Sequence, residues 1–146
     1  EARCARNLLA AVQPGIAFDI HESQLMGDKY WLSARHMQDE EDEEWELKIA
    51  HVVIQAIAES GATLAEDIDV LGVPIEETWF TRSERGVYWL DSKIRGEGLN
   101  LADFVARNYA LSFGTEMGMY GSFAGRVELG MLTVQKAVSV FEERYR

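Results

Sequence analysis

The segment from Glu41 to Ser60 constrains the fold most, because its pattern predicts a helix that is apolar on most of its circumference. Its polar residues recur at spacings of four and three and form one narrow stripe: Glu44, Lys48, His51, Gln55 and Glu59. Apolar residues fill most of the remaining positions from Trp45 to Ile57. A helix of this kind is usually buried. We therefore expect it at the centre of the core, with Gly61 ending it as the C′ residue.

A run of acidic residues opens this helix. Its members are Asp39, Glu40, Glu41, Asp42, Glu43 and Glu44, with Glu46 following Trp45. Asp39 or Asp42 can cap the helix, and carboxylates in the first turn lie at the positive end of the helix dipole. One interpretation is therefore a solvated helix start. The functional alternative is a docking surface for a basic protein partner, formed by the residues from Asp39 to Glu46.

Chain length and charge limit the remaining choices. With 146 residues, the chain predicts one globular domain spanning 1–146 that is large enough to bury a core. The formal net charge is −11 and the basic residues are scattered, so we expect no direct binding to nucleic acid. No apolar stretch reaches the roughly 18 residues that a membrane span needs. The lone Cys4 cannot form an internal disulfide, which favours a cytoplasmic location.

Residues that alternate between apolar and polar predict two antiparallel hairpins. The first joins the segments 16–20 and 30–34 through a turn at Gly27-Asp28. The second joins 75–80 and 87–90 through a turn over 82–86, and both of its arms are rich in aromatic and β-branched residues. We expect the two hairpins to form one sheet.

Helical spacing predicts three further helices. One precedes Pro14-Gly15, one is capped by Asn100 and runs to about Ser112, and the last spans Val127 to Tyr145. The last helix carries a continuous apolar seam at alternating spacings of four and three: Val127, Met131, Val134, Val138, Phe141 and Tyr145. The fold class is therefore α+β, with the sheet packed against three longer helices. The central helix and the C-terminal helix should supply most of the core.

A glycine-rich tract spans residues 114–125. Its glycines recur at spacings of four, three and four: Gly114, Gly118, Gly121 and Gly125. Each would cost a helix interior about 1 kcal/mol against alanine, so the tract is predicted to be a loop. A close-packed helix and a phosphate cradle are the alternatives, although the tract matches no known phosphate-binding motif. Met117, Met119, Tyr120 and Phe123 in the tract are adaptable side chains of the kind found at contact surfaces.

The leading functional hypothesis is a small acidic, non-catalytic binding protein. It would neutralise, escort or inhibit a basic protein partner, as proteins of the inhibitor, immunity and chaperone types do. Charge would set specificity, and Trp45, Trp79 or Tyr120 would be the apolar anchor. We expect no cofactor and no metal. The first alternative is a small metal-assisted hydrolase or nuclease that uses His36, Asp39 and nearby carboxylates. The second is an oligomerisation module that forms a homodimer through the C-terminal helix and the glycine tract.

Overall fold

The computed structural model describes residues 2–24, 27–35, 39–66, 72, 74, 77–78, 80–90, 101–109 and 111–146. In these ranges the chain forms four helices and one mixed five-stranded sheet, so the predicted α+β class is confirmed. The helices are α1 (Ala2–Val12), α2 (Glu40–Glu59), α3 (Leu101–Asn108) and α4 (Phe123–Glu143). The strands are β1 (Ile16–Ser23), β2 (Tyr30–Arg35), β3 (Phe80–Glu84), β4 (Val87–Leu90) and β5 (Leu111–Gly118).

The strands lie in the order β1-β5-β2-β4-β3. The predicted first hairpin is wrong, because β5 lies between β1 and β2 and pairs with both. It is parallel to β1, with Phe18 opposite Phe113, and antiparallel to β2, with Leu32 opposite Thr115. The strand β2 is parallel to β4. The prediction missed β5 because its first residues continue the apolar pattern of α3 and its glycines are typical of a loop.

The second predicted hairpin is present, but its bounds differ from the prediction, because residues 82–84 of the predicted turn belong to β3. The strands β3 and β4 are antiparallel and turn at Arg85-Gly86. The strand β3 begins at Phe80, later than predicted, and Glu77 lies in a turn in which its N–H donates to the carbonyl of Pro74. Ile75, Glu76 and Trp79 of the predicted arm lie outside the described residues.

The helix α2 is the central core helix, as predicted. Asp39 is its N-cap, and the carboxylate accepts hydrogen bonds from the backbone N–H groups of Glu41 and Asp42 at 3.0 and 3.2 Å. Gly61 follows the end of the helix with φ of 88°, a conformation that glycine adopts without strain. The buried face of α2 includes Ile49, Val53 and Ile57, which pack on the sheet.

The helix α4 begins at Phe123, four residues before the predicted start, with Ser122 as its N-cap. It packs against α2, and its buried face consists of Gly130, Thr133, Ala137 and Val140. The predicted apolar seam is only partly used in the core, since Val127 is 43% exposed and Met131 is 56% exposed. Thr133 and Ala137 are fully buried and small, so they allow α4 to lie close to its neighbours.

The two faces of the sheet are covered differently. The side chains of Tyr30, Leu32 and Ala34 belong to the main core with α2. On the opposite face Trp31 packs against Tyr88 and Phe80 in a smaller cluster. There Arg35 also forms a buried ion pair of 2.6 Å with Asp103 of α3. The helices α2 and α4 therefore lie on one face of the sheet, and α3 lies on the other.

Candidate functional site

The acidic run at the start of α2 is largely engaged within the molecule. Arg144, next to the end of α4, donates to Asp42 at 2.6 Å and to Glu41 at 3.2 Å. Asp39 caps the helix, and Glu43 is half-buried. Glu40 and Glu44 project into solvent. The run therefore connects the start of α2 to the end of α4 through ion pairs, and only some of its side chains face the solvent.

Trp45 is not available as an exposed anchor. Its ring is half-buried and packs against the main core. The ammonium group of Lys48 lies 4.5 Å from the ring centroid and also forms a 2.7 Å ion pair with Glu143 of α4. A partner would have to displace Lys48 to reach the face of this ring. Trp45 thus stabilises the α2–α4 contact rather than presenting a free apolar surface.

Glu46, the last acid of the predicted surface, is fully buried. One carboxylate oxygen, Oε1, accepts a hydrogen bond from the backbone N–H of Arg35, while Oε2 has no hydrogen-bond partner. Burial raises the pKa of Glu46 to about 8, and hydrogen bonds from Arg35 and Trp89 offset only part of that effect. Its helical spacing from Ile49 and Val53 is the signal that could have assigned it to the buried face.

An open apolar groove lies between β1 and α4. Its volume is about 590 Å³. Five apolar residues and one glycine line it: Ile20, Met117, Val127, Gly130, Met131 and Val134. Glu22, Arg126 and Gln135 stand at its rim. Tyr120 and Phe123 lie in and just after the loop that leads into α4, and they are 77% and 71% exposed. Phe123 stands one helical turn before Val127, on the same side of α4 as the groove.

Arg126 holds one end of this groove in place. Its Nε donates to Glu22 of β1 at 2.7 Å. Its Nη1 donates to the carbonyl oxygens of Met119 and Gly121 at 3.2 and 2.5 Å. The guanidinium therefore ties α4 to the end of β1 and to the loop before the helix.

The glycine tract divides into a strand, a loop and a helix start. Gly114 and Gly118 belong to β5, Gly121 lies in the loop, and Gly125 lies in the first turn of α4. The predicted loop is therefore wrong for residues 114–118. A Cβ atom at Gly118 would overlap the backbone of Gly27, so glycine is needed there for close approach of two chain segments. That contact, rather than a phosphate cradle, accounts for the residue.

The histidines do not form a cluster in the described part of the structure. His21 on β1 forms a 2.8 Å contact with Asp19, and it lies opposite Glu116 of β5 in the strand register. Partial burial raises the pKa of Glu116. His51 lies 3.6 Å from Glu84, and His36 is outside the described residues. Across the described ranges, no three histidine, cysteine or acidic side chains are arranged to hold a metal ion.

Comparison with known proteins shows the fold alone. No family profile matches the sequence, and no curated protein matches it. Among solved structures, the chain is similar to a "putative metallopeptidase" from Shewanella amazonensis SB2B, with a TM-score of 0.64 and 17% sequence identity. The similarity covers 91% of this chain and 43% of the Shewanella chain. The chain thus spans less than half of that protein. In the part of the chain that the structure describes, no helix is long and apolar enough to cross a membrane.

Proposed function

We propose that this protein is a non-catalytic binding protein that takes up a basic protein partner, in the manner of an inhibitor, an immunity protein or a chaperone. The observation that carries the proposal is the exposed apolar surface at the start of α4. Tyr120, Phe123 and Met131 are each more than half exposed, and Met131 lines the groove beside β1. Extended apolar surfaces on a folded domain commonly mark contact with another molecule.

Charge supports a basic partner. The chain carries a formal net charge of −11, and Glu40 and Glu44 are exposed at the start of α2. Complementary charge raises the rate of encounter and rejects acidic competitors, whereas buried apolar anchors supply most of the affinity. Trp45 is covered by Lys48, and Trp79 lies outside the described residues, so Tyr120 is the predicted anchor that we retain, with Phe123 added beside it. The acidic run thus contributes to steering, and the α4 surface makes the contact.

The test is capture of a partner from cells of the source organism on the immobilised chain. Met131→Asp places a charge in the groove, and Ser139→Asp places the same charge at an exposed position two turns further along α4. We expect a basic protein to be retained by the unmodified chain and by Ser139→Asp, and to be lost with Met131→Asp. Equal recovery on both variants would exclude the α4 surface as the contact.

The acidic run is tested by a second matched pair on α2. Glu44→Lys and Glu59→Lys make the same charge change at exposed positions near the two ends of the helix. We expect Glu44→Lys to slow association with the captured partner more than Glu59→Lys does, with the difference vanishing at high salt. Identical association rates at low salt would remove the run from the binding surface.

Homodimerisation through the same α4 surface is the second candidate function. The partly exposed residues Val127 and Met131 of the seam favour it, because helix seams of this kind pair readily with a copy of themselves. The net charge opposes it, since each copy carries a formal net charge of −11 and two copies repel each other. Light scattering at low and high salt decides between the candidates. A dimer that Met131→Asp dissociates would favour self-association over a basic partner.

The name of the Shewanella protein does not make hydrolysis the better proposal for this chain. Of the predicted ligands, His36 lies outside the described residues, and the carboxylate of Asp39 is occupied by two helix N–H groups. Thermal melting with and without Zn²⁺, Mn²⁺ or Mg²⁺ tests the alternative directly. A metal that binds the folded chain would raise the melting temperature by mass action, and such a rise would favour hydrolysis.

A further inference from the structure

The strand β1 is an open edge of the sheet. It pairs with β5 on one side, and no strand of the described chain pairs with its other side. None of its eight residues is buried, whereas all six residues of β2 are. The other edge strand, β3, has five residues and an irregular register between Phe80 and Arg82. Irregularities of this kind discourage pairing with another chain, and β1 has no irregularity in its pairing.

The outward-facing backbone groups of β1 can be assigned. The carbonyl oxygens of Gly15 and Ser23 accept hydrogen bonds from Leu111 and Met119, so odd-numbered residues direct their polar groups toward β5. Backbone polar groups alternate between the two sides of a strand in a parallel pair. Phe18 and Ile20 therefore direct their N–H and C=O groups away from the sheet, where an added strand could bind them.

The apolar groove runs alongside this edge, and its floor is a glycine. A Cβ atom at Gly130 would lie 3.8 Å from Met117 and 3.9 Å from Ile20, which are ordinary contact distances. Alanine would therefore fit and would stabilise the helix relative to glycine. No contact in the described structure requires glycine at this position. Its consequence is a deeper groove beside β1, with room for a side chain from outside.

The opposite face of β1 carries two carboxylates and a histidine, since His21 also lies on it, 2.8 Å from Asp19. Asp19 lies on this face, and the neighbouring Glu116 of β5 shares it. The only charged or titratable residues of β1 are Asp19, His21 and Glu22. Side chains of an added strand would alternate between the groove on one face and these carboxylates on the other. A second copy of β1 would instead place carboxylates against carboxylates.

We infer that β1 receives an extended segment of the partner as an additional strand. Apolar side chains of that segment enter the groove between β1 and α4, and alternating basic side chains lie along Asp19 and Glu116. The recognised chemistry is a strand in which apolar and basic residues alternate. This inference rests on the proposed function only in taking the partner to be a protein, and it specifies the mode of binding.

The test uses a labelled synthetic peptide of seven residues that alternates lysine and valine, with both ends blocked. Two further versions carry N-methyl groups on the valine amides or on the lysine amides. In an added strand, either the valine amides or the lysine amides face β1, but not both. One methylated peptide should therefore bind like the parent peptide, and the other should bind at least about tenfold more weakly. Hydrogen exchange should show new protection at the amides of Phe18 and Ile20. Equal binding of both methylated versions would overturn the inference and indicate general charge attraction.

Two variants of the chain complete the test. Gly130→Met should fill the groove and weaken binding of the parent peptide about tenfold or more, and Asp19→Lys should do so by repulsion. Ser139→Asp is the control that leaves binding unchanged. If Gly130→Met lowers the melting temperature, Asp19→Lys carries the result alone. Unchanged peptide affinity in Asp19→Lys would overturn the inference. Self-association of the chain that Gly130→Met abolishes would also overturn it, because the occupant of the edge would then be a second copy of the chain.

The outcomes distinguish this inference from the proposed function. Capture of a basic partner that Met131→Asp abolishes, together with equal binding of both methylated peptides, would leave the function standing and remove strand addition. Protection of Phe18 and Ile20 by the peptide, without any partner captured from cells, would establish the strand-binding edge and remove the evidence for a basic cellular partner.

Discussion

The start of α2 and the start of α4 differ in how much of their chemistry the molecule itself uses. The start of α2 carries the densest charge, yet Arg144, the helix N–H groups and the core occupy much of it. The start of α4 carries large apolar side chains, and Phe123, Val127 and Met131 face outward. A region can therefore meet a partner only with the groups that contacts within the chain do not already use.

The position of each helix end explains this difference. The start of α2 lies against the end of α4, so Arg144 reaches Asp42 and Lys48 reaches Glu143. The start of α4 lies beside β1, which is the edge of the sheet. Past β1, no further strand of the described chain covers α4. Location in the sheet, rather than composition, therefore decides which of the two regions stays open.

The largest expected effect separates the two sides of α4. Ala137 is fully buried, and Ala137→Asp would place a carboxylate in the core without a partner. We expect it to lower the free energy of unfolding by on the order of 4 kcal/mol, or to prevent folding. Met131→Asp is the matched change on the exposed side and should shift stability by about 0.5 kcal/mol or less. Urea unfolding of both variants measures the contrast, and similar losses would mean that Met131 is part of the core.

The second effect concerns the buried acid of α2. Burial raises the pKa of Glu46 to about 8 from an ordinary value of 4.5, so the folded chain holds a proton that the unfolded chain releases between these values. Stability should therefore be highest below about pH 4.5 as far as this group is concerned, and should fall as pH rises toward 8. The fall attributable to Glu46 is on the order of a few kcal/mol.

Glu46→Gln removes this titration while keeping the volume of the side chain. Urea unfolding at several pH values between 5 and 9 should show a flatter profile for the variant than for the unmodified chain. The difference between the two profiles isolates Glu46 from all other acids. Parallel profiles would contradict the raised pKa and would return Glu46 to the exposed acidic run.

Arg144→Ala should have a smaller effect on stability, and it would leave the start of α2 more open, like the start of α4. Arg144→Ala removes the partner of Asp42 and Glu41 and frees both carboxylates. We expect a loss of about 1 kcal/mol in stability, since the pair is only partly buried, and a faster association with a basic partner. Arg146→Ala is the control, because it makes the same charge change at an exposed position two residues away. If both variants associate equally fast, the freed carboxylates play no part in steering.

Local signals in the sequence were sufficient for α2 but not for the site. The cap at Asp39, the apolar pattern of the helix and the glycine at position 61 all lie in or next to α2 in the sequence, and each is confirmed. The strand β5 depends on partners far away in the chain, since Gly118 is required by the backbone of Gly27. The groove depends on β1 lying at the edge of the sheet. The spacing of Val127 and Met131 predicts a helix, but it carries no information about which face the sheet leaves uncovered.

The smallest effect tests why the floor of the groove is a glycine. Gly130→Ala should raise the free energy of unfolding by up to about 1 kcal/mol, because alanine is the better helix former and its Cβ meets Met117 and Ile20 at ordinary contact distances. Gly125→Ala in the first turn of α4 is a suitable comparison, although its Cβ would lie closer, 3.1 Å from Ser122 Oγ. Thermal melting measures both. If Gly130→Ala is more stable but binds the partner more weakly, the glycine serves to keep the groove open and is not needed for the packing of α4. A destabilised Gly130→Ala would instead mean that the packing of α4 requires the glycine.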